Sequence, residues 1–140
     1  MNTIEREQAE ERFAARFANF TLDEMRCKCG ECHLPIDDPE FESFCENLQA
    51  LRVALGFPFH ITSFYRCPAY NDSLYSGDGT KRDGPHTKGA ADQLISFERM
   101  YKLIDRATTL GFGVGVKQHG PINGRYVHLD HQGARLWTYR

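Results

Sequence analysis

The chain has 140 residues, 41% of them hydrophobic and 26% charged, with a net charge of −2. That length suits one domain with a core of its own, and the near-balanced charge gives no reason to expect nucleic acid or an anionic membrane as partner. No apolar run reaches the roughly 18 residues of a membrane span, and the first residues alternate Glu and Arg without the apolar stretch of a secretory signal. Synthesis in the cytoplasm, with release by another system, is the expectation from that pattern, and the protein is expected to act as a monomer.

Residues 3–18 read as a helix, with Thr3 its possible cap and Ile4, Phe13 and Phe17 its apolar points on a heavily charged surface. This N-terminal helix (1–19) leads into a single domain over 20–140. Thr21-Leu22-Asp23-Glu24 has the form of a capping box opening one short turn, with Met25 its apolar member. Residues 27–37 (CKCGECHLPID) read as a loop. Asp38 then caps a core helix: Pro39 suits its first position, Glu40 and Glu42 its positive end, and Gly56 its stop. Phe41, Phe44, Cys45, Leu48, Leu51 and Leu55 fall on one face of it.

Phe59-His60-Ile61-Thr62-Ser63 alternates apolar and polar and predicts a strand running into Tyr65-Arg66-Cys67-Pro68. Asn71 to Pro85 is rich in Gly, Asp and Ser and reads as a surface loop. Ala90 to Ile95 reads as a buried strand. Ser96 opens a helix with Met100, Leu103, Ile104, Ala107 and Leu110 on one face and Gly111 at its end. Three strand-like pieces close the chain: Phe112 to Val116, Tyr126 to Asp130 and Arg135 to Tyr139, with a turn at Gly120 to Gly124. Helices first, then strands around one helix, predict an α+β fold: a small, mostly antiparallel sheet with flanking helices.

On a strand over 126–130, Tyr126, His128 and Asp130 share one face while Val127 and Leu129 turn to the core. His86 and Asp92 flank Gly89, whose missing side chain lets the backbone turn so that both converge. Two imidazoles and one carboxylate with an open fourth position is a ligand set of catalytic zinc, which lowers the pKa of bound water to about 7. His86, Asp92 and His128 are therefore the candidate ligands of one zinc ion per chain. Hydrolysis also needs a proton acceptor and a cation for the oxyanion. Asp130 is the nearest acidic candidate for the first role and Arg66 the best cation for the second. Tyr126 is the candidate for substrate contact. Asp130 could instead accept a hydrogen bond from a ligand histidine.

Ile61-Thr62-Ser63-Phe64-Tyr65-Arg66-Cys67-Pro68, then Gly84-Pro85-His86-Thr87-Lys88-Gly89-Ala90-Ala91-Asp92, then Tyr126-Val127-His128-Leu129-Asp130, resembles the zinc D-alanyl-D-alanine carboxypeptidase family in motif order. Phe20 to Met25 with the Cys-rich stretch after it looks like the N-terminal part of the family's phage and prophage members. The resemblance runs from about Phe20 to Tyr139. It implies the fold of the hedgehog signalling domain and lysostaphin-type endopeptidases. It also implies a zinc metallopeptidase acting on stem or cross-bridge peptides of bacterial peptidoglycan, used as a phage endolysin and reaching its substrate in the periplasm or cell wall. His86, Asp92 and His128 would be its zinc ligands, and Arg66 would bind a substrate carboxylate or steady the oxyanion.

Four positions depart from the family's pattern. The step from His86 to Asp92 is six residues where the family has seven, Gly84 stands for a serine, Phe64 for a glycine, and Arg125 for an acidic base found in several relatives. These departures keep open an inactive relative that binds peptidoglycan peptides, or a phage structural protein in which the metal only stabilises the fold.

The five cysteines are Cys27, Cys29, Cys32, Cys45 and Cys67, an odd number that argues against a closed disulfide framework. Cys45 reads as a small buried hydrophobe within its helix. Cys27, Cys29, Cys32 and His33 have the density of a zinc knuckle, but four ligands within seven residues would strain a tetrahedral site. A compact loop with free thiols, or with one paired to Cys67, is the favoured reading. His60, His119 and His131 read as surface residues. Phe112, Trp137 and Tyr139 read as core, with Trp137 also placed to stack on substrate at a cleft rim.

Overall fold

The computed structural model describes residues 1–139. Helix α1 (Thr3–Ala15) is capped by Asn2 and not by Thr3. The Asn2 side chain accepts the Glu5 N–H at 2.8 Å, and the Glu5 carboxylate accepts the Asn2 N–H at 3.1 Å, a reciprocal capping box. The helix ends three residues before the expected 18, and Ile4 lies exposed while Phe13 and Phe17 are buried. Helix α2 (Leu22–Met25) has the expected box between Thr21 and Glu24. Helix α3 (Pro39–Leu55) is capped by Asp38 and stops at Gly56, whose φ of 76° is a left-handed conformation that favours glycine.

Strand β1 (His60–Ser63) is followed by helix α4 (Pro68–Ser73), which takes the start of what reads in sequence as loop. Pro68 opens it because its missing N–H costs nothing at a first helical position. Then come a single 3₁₀ turn (Pro85–Thr87), strand β2 (Ala90–Leu94), helix α5 (Phe97–Thr109) and strand β3 (Gly113–Lys117). After a second 3₁₀ turn (Ile122–Gly124), strands β4 (Tyr126–Asp130) and β5 (Arg135–Thr138) complete the chain. Leu110, expected on the apolar face of α5, lies beyond its last turn and is exposed.

The strands form one sheet in the order β1-β2-β4-β3-β5, antiparallel except for the β3–β5 pair. The fold is thus α+β, with a mostly antiparallel sheet. Among the described residues, no helix is long and apolar enough to cross a membrane.

Nine of the ten phenylalanines are buried, so the core between helices and sheet is chiefly aromatic. Phe13, Phe41, Phe64, Phe44 and Phe112 follow one another in ring contact through it, with successive centroids 5.7–6.4 Å apart. Such stacked and edge-on pairs add about 0.5–1.5 kcal/mol each beyond the area they bury. Ala91, Val114, Val127 and Leu129 close the core from one face of the sheet.

The opposite face carries Asp92, His128 and Asp130, in register because Asp92 pairs with His128 and Ala90 with Asp130. Val127 and Leu129 point to the core as expected. The face opposite them is not simply open, however: His128 and Asp130 are buried too. Strand β5 returns alongside β3 and brings Arg135 and Trp137 over them. Gly113 and Gly115 make this possible. A Cβ at Gly113 would meet Arg135 Nη1 and Asp130 Oδ1 at 2.3 Å, and one at Gly115 would meet the Trp137 ring at 2.5 Å.

Candidate metal centre and active site

Three elements meet at the site. The 3₁₀ turn supplies His86, β2 supplies Asp92 and β4 supplies His128, and one ligand atom from each lies within 4.8 Å of the others. The six-residue step from His86 to Asp92 does not swing the carboxylate away: Asp92 Oδ2 is 3.3 Å from His86 Nε2, and Oδ1 is 2.9 Å from His128 Nδ1. A β-bulge in β1, between Ile61 and Ser63, lies directly beside Asp92. Gly89 matters here for packing and not for turning. Its φ is outside the left-handed region, and a Cβ there would meet Phe44 Cβ at 2.8 Å.

The outer nitrogens of both rings are committed. His86 Nδ1 lies 2.7 Å from the Phe64 carbonyl oxygen, which can only accept, so Nδ1 carries the proton and Nε2 offers its lone pair to the centre. His128 Nε2 donates to Asp130 Oδ2 at 2.7 Å, leaving Nδ1 turned towards Asp92. Two imidazoles, each fixed in tautomer by a partner on the far nitrogen, together with a carboxylate, suit zinc.

The charges agree. Burial alone would lower the pKa of His128, but Asp130 and Asp92 on its two nitrogens raise it above the usual histidine value. Burial would likewise raise that of Asp92, yet its hydrogen bonds with His128 and His86 hold it well below the usual carboxylate range. Positive charge is favoured between these groups, whether as a proton or a metal ion.

The model of the peptidase M15 family matches residues 18–130. The chain belongs to the peptidase M15 family. That family comprises zinc metallopeptidases acting on peptidoglycan peptides. No curated protein and no solved structure matches the chain.

In this M15 chain Arg66 stands at the rim of the triad, its Nη2 3.8 Å from Asp92 Oδ2. Its Nε donates to Ser63 Oγ at 3.0 Å and its Nη1 to Asn71 Oδ1 at 3.3 Å, while its backbone N–H donates to the His86 carbonyl at 2.9 Å. A guanidinium has five N–H donors, so some stay free for substrate. Asp130 has both oxygens engaged. Oδ2 takes His128 Nε2 and Arg135 Nη2, and Oδ1 takes Arg135 Nη1 at 2.9 Å and the Gln132 N–H at 2.9 Å. Burial opposes its ionisation, but His128 and Arg135 hold its pKa well below the usual range.

A cleft of about 290 Å³ lies over the triad, walled by Arg66, Tyr75, Lys81, Tyr126, Trp137 and Tyr139. It adjoins a larger lobe of about 690 Å³ between α2, β1 and α4, the two sharing Arg66, Asp92 and Tyr126. Trp137 and Tyr139 thus line the cleft, Trp137 with its ring centroid 5.3 Å from that of His128, whereas Phe112 is core. His60 and His119 are exposed, as expected. His131 is instead half-buried between Phe44 and Phe112, with centroids 5.3 and 4.9 Å away.

Three supporting residues escape a reading of the sequence. Asn71 bridges Arg66 to the Lys81 carbonyl, and Asp72 accepts the N–H groups of Gly79 and Lys81 at 2.9 Å, so the polar loop is organised from within α4. Arg135 grips Asp130 and lays its guanidinium 4.5 Å from the Trp137 ring centroid. The alternating Gly113 and Gly115, opposite alternating Arg135 and Trp137, is the signal that could have found the third. The thiols of the loop are free, as expected, and Cys27, Cys29 and Cys32 gather with Cys67, while His33 stands apart with Nδ1 3.7 Å from Glu10.

Proposed function

We propose that this chain is a zinc endopeptidase that cuts within the cross-linking peptides of peptidoglycan, serving phage or prophage lysis. The observation that carries the reading is the convergence of His86 Nε2, Asp92 and His128 Nδ1 in a cleft that continues past Arg66 into a second lobe. A carboxypeptidase needs a blind end that seats a terminal carboxylate, whereas chain on both sides of the scissile bond needs room in both directions. The likeness of Phe20 to Cys32 to phage and prophage members supports the role in lysis.

In this reading His86, Asp92 and His128 would hold one zinc ion, which would supply an acidified water and a Lewis acid for the scissile carbonyl. Arg66 donates to the oxygen that becomes negative, held in place by Ser63 and Asn71. Tyr126 and Trp137 flank the peptide. Asp130 takes a different role from the proton acceptor first considered: fully buried and with both oxygens occupied, it fixes the tautomer and tilt of His128, and Arg135 keeps it ionised.

Asp130→Asn is expected to weaken zinc binding by roughly 10- to 100-fold, read by competition with a chromophoric chelator. Unchanged affinity would remove its positioning role. Arg66→Lys keeps the charge but loses the fork, and kcat/KM should fall on the order of 10²- to 10³-fold with zinc content unaltered.

One observation favours a second reading, a peptide-binding protein without turnover: Arg125 stands where several relatives carry an acid, and among the described residues Asp92 is the one acidic side chain lining the cleft over the triad. Mass spectrometry of purified cross-linked muropeptides incubated with zinc-loaded protein separates the possibilities. Conversion of dimers to monomers is expected. Loss of a single terminal alanine would make it a carboxypeptidase, and retention of intact peptide by zinc-loaded protein would make it a binder.

A further inference from the structure

We propose that Cys27, Cys29, Cys32 and Cys67 bind a structural zinc ion, separate from the one at the histidines, that clamps the N-terminal loop to the segment carrying Arg66. Three of these thiols come from the loop after α2 and the fourth from the residue before α4, forty positions from Cys27. Their sulfurs all lie within 4.8 Å of one another. Cys27 Sγ is 3.8 Å from Cys67 Sγ, and Cys67 Sγ is 3.9 Å from Cys29 Sγ.

That spacing discriminates between the two things close thiols do. A disulfide brings two sulfurs to about 2.05 Å. Four thiolates around zinc at about 2.3 Å stand on the corners of a tetrahedron with edges of roughly 3.8 Å. All five cysteines are free, and four of them gather within 4.8 Å, with Cys67 at the second distance from both Cys27 and Cys29 and no pair at the first.

The backbone supports thiolates there. The Cys67 N–H donates to Cys27 Sγ at 3.3 Å and the Glu31 N–H to Cys29 Sγ at 3.4 Å, contacts that stabilise negative sulfur. The strain that a ligand set confined to residues 27–33 would impose is also relieved, because the fourth donor comes from a distant element. On binding, each thiol gives up its proton to solvent.

The clamp would act on the cleft through Cys67. Its neighbour Arg66 holds the His86 carbonyl through its backbone N–H, and the Tyr65 N–H donates to the Met25 carbonyl at 3.1 Å. One ion would therefore fix α2, the thiol loop and the arginine to each other.

The test counts metal in full-length protein purified under reductant with zinc supplied. Wild type is expected to hold two zinc ions per chain, His128→Ala one, and Cys29→Ser/Cys67→Ser one. Cobalt-loaded His128→Ala should show intense near-ultraviolet thiolate-to-cobalt charge transfer. The same bands should appear in cobalt-loaded wild type, so the result does not depend on any variant folding. Absence of these bands from both proteins overturns the proposal, as does an intact mass showing the four thiols oxidised to disulfides. The charge-transfer bands report on the thiols alone. Failure of the histidine site would leave them in place, and failure of the thiol site would leave peptide cleavage to be judged separately.

Discussion

His128→Ala is expected to abolish muropeptide cleavage, lowering kcat/KM by at least roughly 10³-fold, because a metal ion moves the pKa of water from 15.7 to about 7 and that gain goes with the ion. The substitution removes one of the three donors. It also leaves Asp92 and Asp130 facing one another's charge across the space that His128 filled, with Arg135 beside Asp130 and Arg66 and His86 beside Asp92 to offset them. A chelator should reproduce the loss in wild type, and zinc should restore it. The chain supplies its own reporter. Trp137 is the one tryptophan, and its ring centroid lies 5.3 Å from that of His128, so its fluorescence should change as zinc is removed and returned. Full activity in the presence of a chelator that has stripped the ion would end the metallopeptidase reading of this site.

Phe44→Ala should cost about 3–5 kcal/mol of folding free energy, the range for truncating a fully buried phenylalanine. Phe44 is completely enclosed, with Phe64, Phe112 and His131 at centroid distances of 5.7, 6.4 and 5.3 Å. Its Cγ and Cδ2, which alanine lacks, also lie 3.1 and 3.5 Å from where a Cβ at Gly89 would stand. The resulting cavity would therefore lie beneath Gly89, between His86 and Asp92. Denaturant unfolding should show the loss as a lower midpoint, and melting should fall by roughly 10 °C or more. Val53→Ala, on the exposed side of the same helix, should stay within about 0.5 kcal/mol. A Phe44 effect as small as that of Val53 would mean that the aromatic chain is not the support of the turn that carries His86.

The elements with strong local signals were legible in the sequence. Asp38, Pro39 and Gly56 delimit α3 because a cap, a first-turn proline and a left-handed stop each act over two or three residues. The alternation of Tyr126 to Asp130 gives β4 with Val127 and Leu129 inward, since side chains on a strand alternate whatever surrounds it. The motifs around His86, Asp92 and His128 likewise named the residues that the fold brings together.

Tertiary structure decided the rest. That Asp92 meets His128 follows from the pairing of β2 with β4, which sets the two opposite one another, while the Arg66 N–H on the His86 carbonyl ties the turn carrying His86 to the end of β1. The setting of Asp130 depended on β5 crossing to the far side of β3, because only that crossing puts Arg135 on both its oxygens. The fourth thiol is the plainest case. Cys67 lies forty residues from Cys27, and no local pattern records that α4 begins where the N-terminal loop ends. Local chemistry is written in neighbouring residues, whereas the meeting of distant side chains follows from how strands pair and helices pack, which no short stretch of sequence contains.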